Sequence, residues 1–152
     1  MTTLKLEIPI IPPSENKIRV IRVIKGRAAG IAYKKEAIDF KKAFNDIIRN
    51  TYMADIQRLL STHTPTSIYS VDIIIHFPKE ELVNKGWPNT TTYYKKIDIG
   101  NRRKLLEDCL SEALTIDDSV FFALNMTKLI SEEQKLIIIV EQYDDATLFG
   151  DK

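Results

Sequence analysis

Cysteine is nearly absent from this 152-residue chain, which has one, Cys109. A single thiol excludes an internal disulfide and any zinc site built on cysteines. It fits a reducing, cytoplasmic setting. Histidine is almost as scarce, and His63 and His76 are too few and too scattered for a metal centre. There are five glycines and no glycine-rich phosphate loop, so no nucleotide cofactor is expected. Long apolar runs are also missing. Stretches such as residues 136–140 fall far short of the ~20 residues that span a bilayer. The N-terminal residues show no basic region followed by an apolar block, so neither a secretory signal nor membrane attachment is expected.

What is present is an ordinary globular composition, with 44% hydrophobic and 28% charged residues, enough for one domain with one core. The net charge of +1 conceals an asymmetry. Residues 1–60 carry 12 Lys+Arg against 6 Asp+Glu, and residues 61–152 carry 10 against 15. A basic half is compatible with phosphate contact and a carboxylate-rich half with metal binding. Charge alone favours the plainer reading, a solvated surface.

Hydrophobic periodicity divides the chain. Leu4, Leu6, Ile8 and Ile10 alternate as a first strand that Pro12-Pro13 ends. Residues 18–24 form a second β-branched run, and Gly26 and Gly30 mark a loop after it. From Tyr33 the period becomes helical, through Ala37, Phe40, Phe44, Ile47 and Ile48 towards Ile56 and Leu59. Val71, Ile73, Ile75 and Phe77 alternate as a third strand. A long polar connection over 78–96 carries Trp87, Tyr93 and Tyr94. Leu105, Leu106, Cys109, Leu110, Ala113 and Leu114 form the apolar stripe of a second helix. Val120 to Met126 alternates as a fourth strand, and 136–140 is a fifth, apolar on both faces and therefore central. The order β-β-α-β-α-β-β predicts an α+β fold: one mixed, largely antiparallel sheet of about five strands with two main helices. The domain spans residues 1–143, and an acidic, mobile tail covers 144–152.

The chemistry concentrates around the second helix. Asp98 stands just before it. Asn101, Lys104 and Asp108 share its polar face by their spacing, and Asp117-Asp118 follow at the next turn. Phosphodiester hydrolysis needs an activated water and charge stabilisation at the phosphoryl oxygens, and Mg²⁺ held by a few carboxylates supplies both. Asp117 and Asp118 reach Asp98 only if the strand after them pairs beside the strand that feeds the helix. Each residue also has an ordinary structural use: Asp98 as a helix cap, Lys104 and Asp108 as a surface ion pair, Asp117-Asp118 as a turn. The residues by themselves leave both uses open.

Taken together, Asp98, Asn101, Lys104, Asp108, Leu110, Asp117 and Asp118 resemble the D-x-D-N-x-x-K, D-x-L and D-D signature of the RusA-like family of Holliday junction resolvases. Pro12, Pro13, Ser14 and Asn16 resemble that family's N-terminal Pro-Pro-Ser-x-Asn motif, and the likeness runs from about residue 4 to 141. It implies a dimeric, Mg²⁺-dependent endonuclease, with Mn²⁺ able to substitute, that resolves four-way junctions by symmetric paired nicks in recombination and repair, often in phage or prophage. It implies Asp98 and Asp118 as metal ligands, Asp117 sharing or supporting that role, and Lys104 at the scissile phosphate. Asn16, Asn101 and Asp108 would be structural.

One position departs from the signature: Gly100 stands where the second aspartate is expected. Either a neighbouring carboxylate compensates, for which Glu107 is the candidate, or water fills the ligand position, or the protein binds branched DNA without cutting it. Lys17, Arg19, Arg22, Lys95, Lys96, Arg102 and Arg103 are the candidate phosphate contacts, with the N-terminus of the second helix. Trp87, Tyr93 and Tyr94 are candidates either for stacking on bases or for packing the long connection on the body.

Overall fold

The computed structural model describes residues 2–13, 19–24, 27–95, 97 and 99–147, with backbone alone for 19–24, 27–32 and Asn101. Four strands, β1 (Thr3–Ile8), β4 (Ile68–Pro78), β5 (Phe121–Ser131) and β6 (Lys135–Tyr143), make one mixed sheet in the order β1-β6-β4-β5. β6 pairs antiparallel with β1 and with β4, whereas β5 lies parallel to β4. The alternating residues of these strands decide which face is covered. Leu6, Ile138, Ile73 and Met126 form one row across all four strands by their register. The first three are buried and Met126 packs against the same core. The apolar 136–140 run is interior to the sheet, as its composition predicts.

Helices α1 (Lys35–Thr51), α2 (Met53–Ser61) and α4 (Arg103–Leu114) close the core, and a single turn, α3 (Lys79–Leu82), follows β4. Ala37, Phe40, Phe44 and Ile48 recur every three or four residues and bury one stripe of α1. Phe44 is fully buried, and truncating such a ring typically costs about 3–5 kcal/mol. The stripe of α4 is buried likewise through Leu105, Leu106, Cys109, Leu110 and Leu114.

The architecture differs from the expectation in two places. The sheet has four strands, because the second β-branched run, β2 (Arg19–Ile24), pairs instead with β3 (Arg27–Tyr33) in a separate antiparallel hairpin. β3 occupies the segment read as a loop. Its Ala-Ala-Gly stretch has little strand propensity of its own, so the partner strand supplies the preference. The long helix is also broken at Tyr52. That side chain reaches back to the edge strand β1, where its hydroxyl donates to the Glu7 carbonyl at 2.8 Å and accepts from the Glu7 N–H at 3.0 Å. These are edge groups that the sheet leaves unpaired, and Tyr52 covers them.

The parallel β4–β5 pair matters most for function. It runs from Tyr69↔Phe121 to Pro78↔Ser131, with α4 in the crossover. The strand that follows Asp117-Asp118 therefore lies beside the strand that leads towards α4, which is the condition for the two ends of the acidic motif to share one region.

Candidate active site

Helix spacing puts Lys104 and Asp108 one turn apart on the face of α4 opposite its leucine stripe. The chain then reverses. Thr115 adopts a left-handed conformation (φ 54°, ψ 37°) just past the helix, and Ser111 ties the turn by donating to the Ile116 carbonyl at 2.5 Å. The reversal carries Asp117 and Asp118 back alongside α4. Lys104 Nζ lies 3.0 Å from Asp118 Oδ2 and 3.2 Å from Asp108 Oδ1. Two carboxylates that are ten residues apart thus converge on one ammonium.

The electrostatics follow from that geometry. The hydrogen bonds that Lys104 donates to Asp118 and then Asp108 hold its ammonium well above the ordinary lysine range, so it is a fixed cation at neutral pH. The other oxygen of Asp108, Oδ2, accepts a hydrogen bond from the Tyr33 hydroxyl at the end of β3. Asp117 has a different partner. Its Oδ1 accepts from the Ser119 N–H at 2.8 Å, which caps the 3₁₀ turn Asp118–Val120 and holds its carboxyl below the ordinary aspartate range. The adjacent aspartates therefore divide the work: Asp117 shapes the turn and Asp118 faces Lys104.

Glu107 pairs with Arg103 at 2.6 Å. The carboxylate brought to Asp118 is Asp108. Arg102, also a candidate phosphate contact, lies buried just before α4. It is 5% exposed, its Nε donates to the Pro13 carbonyl at 3.1 Å, and its guanidinium lies 5.5 Å from the centre of the Phe77 ring. These contacts tie the N-terminal segment to the core. Arg103 remains exposed, and Lys95 is half-exposed with its ammonium on the Glu80 carbonyl at 2.9 Å.

Several expected site residues lie outside the described residues: Asn16, Lys17, Lys96 and Asp98, together with the side chains of Arg19, Arg22 and Asn101. The neighbours of Asp98 are described. Lys128 of β5 donates to the Ile97 carbonyl at 3.0 Å, and Ile97 and Ile99 both pack on the core. The connection holding the aromatics is tied at its base by a Val83↔Tyr94 bridge and by Asn84 Nδ2, which donates to the Thr92 carbonyl at 2.7 Å. Tyr93 meets Trp87 and Tyr94 edge-on, and all three keep exposed surface. Beside them Leu82, Tyr94, Lys95, Lys128, Leu129 and Ile130 line a cleft of about 320 Å³. Cys109 is buried, and burial pushes its thiol up to about 12, so it is no nucleophile.

Among the described residues no three His, Cys, Asp or Glu side chains gather as a metal cage. The Asp108–Asp118 pair still suits a hard cation of the Mg²⁺ type, which takes one or two carboxylates and completes its shell with water and substrate oxygens. Sequence reading missed Tyr33, whose contact with Asp108 spans 75 residues and has no local signal.

The family model described as endodeoxyribonuclease RusA matches residues 9–141. No curated protein matches the chain. Among solved structures, the crystal structure of 2C-methyl-D-erythritol 2,4-cyclodiphosphate synthase from Plasmodium vivax is 12% identical and covers 93% of each chain at a TM-score of 0.32, a likeness too slight to carry an argument.

Proposed function

This chain belongs to the endodeoxyribonuclease RusA family of Holliday junction resolvases, and we propose that it cuts four-way DNA junctions by paired nicks at the site formed by Asp118, Asp108 and Lys104 with a bound Mg²⁺. The observation that carries the proposal is the convergence of Asp108 and Asp118 on one ammonium, at 3.2 and 3.0 Å. Two carboxylates carry more negative charge than the one ammonium offsets, and that excess attracts a divalent ion. The resemblance adds Asp98 as a further ligand, and Asp117 supports the set by fixing the turn. When bound, such an ion supplies an activated water and charge stabilisation.

The protein's own groups do the rest. Lys104 stays charged and is placed to neutralise a phosphoryl oxygen as negative charge develops. The α4 N-terminus favours a phosphate by its dipole. Arg103 and Lys95, with Lys17, Arg19, Arg22 and Lys96 from the sequence, supply backbone contacts that track shape more than base identity. The exposed Trp87–Tyr93–Tyr94 cluster offers faces on which bases opened at the crossover stack. A homodimer fits the two-fold symmetry of the junction and gives one active site per nick.

The test is Asp118→Asn against wild type, with junction binding measured by gel shift in EDTA and cleavage measured in Mg²⁺. Retained binding with cleavage lost supports the proposal. Cleavage at the wild-type rate by Asp118→Asn contradicts the assigned site. Wild-type protein that binds junctions but never cuts them in Mg²⁺ favours a branched-DNA-binding relative disabled at Gly100.

A further inference from the structure

The signature's second aspartate is replaced by Gly100, so one carboxylate has to come from elsewhere if the site is to hold its ion well. Resting on the resolvase reading above, we infer that Asp108 is that carboxylate and that Tyr33 is the positioning residue that holds it in the site.

The two oxygens of Asp108 have separate partners. Oδ1 meets Lys104 at 3.2 Å, while Oδ2 takes the Tyr33 hydroxyl. A carboxylate on an open helix face samples several rotamers, and anchoring both oxygens leaves one. Tyr33 is itself fixed. Its ring packs on the core, and the Lys41 ammonium sits 5.2 Å from the ring centre while pairing with Glu112 of α4 at 2.8 Å. The end of β3 is thus tied to α4 directly at Asp108 and, through Lys41 of α1, at Glu112. The neighbouring carboxylate, Glu107, is committed to Arg103 at 2.6 Å. Carboxylates that hold metals are commonly oriented by such outer hydrogen bonds, and losing one typically weakens metal affinity or activity by about 10–100-fold.

Tyr33→Phe removes the hydroxyl and keeps the ring under Lys41. Binding of Mn²⁺ alone to DNA-free protein, read by electron paramagnetic resonance of the free ion, is expected to weaken by roughly tenfold or more. Cleavage should lose kcat with little change in KM for the junction. Asp108→Asn should weaken Mn²⁺ binding at least as much, and adding Tyr33→Phe to it should change nothing further. Wild-type Mn²⁺ affinity in Tyr33→Phe overturns the positioning role, as does a full additional loss in the double variant. If Tyr33→Phe fails to fold, Asp108→Asn decides, and wild-type Mn²⁺ affinity there overturns the inference. The two readings fail differently. A protein that cuts junctions and loses cutting in Asp118→Asn, while Tyr33→Phe and Asp108→Asn behave as wild type, loses only this inference. A wild type that neither binds Mn²⁺ nor cuts loses the resolvase reading as well.

Discussion

Replacing Lys104 by methionine separates a surface ion pair from a catalytic cation. The side chain is 52% exposed, and its partners Asp108 and Asp118 are 26% and 34% exposed. Ion pairs this open to solvent are screened, and each contributes about 0.2–1 kcal/mol. Together they account for ~1 kcal/mol, which for a chain of this size moves Tm by roughly 2–4 °C. A charge that meets the phosphoryl oxygens in the transition state is worth far more, about 10²–10³ in kcat. A surface ion pair therefore shows in the melt and not in the rate, whereas a catalytic cation shows in the rate. The assay pairs a thermal melt with single-turnover cleavage of a four-way junction at saturating protein, so that binding does not enter. The expected result is a small Tm change and a rate loss of about a hundredfold or more. A second readout follows from the geometry. With the ammonium gone, Asp108 and Asp118 face each other without a resident cation, so Mn²⁺ binds at least as tightly as to wild type. A rate loss below about tenfold, or markedly weaker Mn²⁺ binding, would refute the reasoning.

The adjacent aspartates should separate by mutation. Asp117→Asn keeps an acceptor for the Ser119 N–H and should reduce cleavage far less than Asp118→Asn. Because the Ser119 N–H lowers the Asp117 pKa in the folded protein, its charged form stabilises above the unfolded value of about 3.8, and that advantage is lost as pH falls through the lower folded value. Wild type should therefore melt above Asp117→Asn at neutral pH, and the gap should close in acid. Arg102→Met removes a buried charge-assisted bond to Pro13 and should cost about 2 kcal/mol, seen in urea denaturation, without changing the salt dependence of junction binding. Arg103→Met leaves stability nearly unchanged and should lower the slope of log Kd against log salt by about one phosphate contact.

Much of the fold was legible because its signals are local. The stripe of α4 and the pairing of Lys104 with Asp108 both follow from helix spacing, and the alternation of 71–77 marks a half-covered strand. What was not legible depends on partners distant in sequence. β3 forms from an Ala-Gly-rich stretch because β2 offers it a ladder. The break at Tyr52 comes with a contact 45 residues away, where its hydroxyl covers edge groups of β1. Arg102 and Arg103 look alike in sequence, yet the first turns inward to Pro13 and Phe77 while the second stays in solvent. That Asp118 shares Lys104 with Asp108 follows from the reversal after Thr115, which sets where Asp118 returns along α4. Helix spacing alone does not give that position.

The most direct test of the central claim is to map the cuts made by wild-type protein on a four-way junction with each strand end-labelled in turn, beside a linear duplex of the same sequence, with Mg²⁺ and with EDTA. The account predicts nicks at matched positions on two opposing strands of the junction, dependent on Mg²⁺, with the duplex left intact. Equal cutting of junction and duplex, or junction cutting that persists in EDTA, would contradict it.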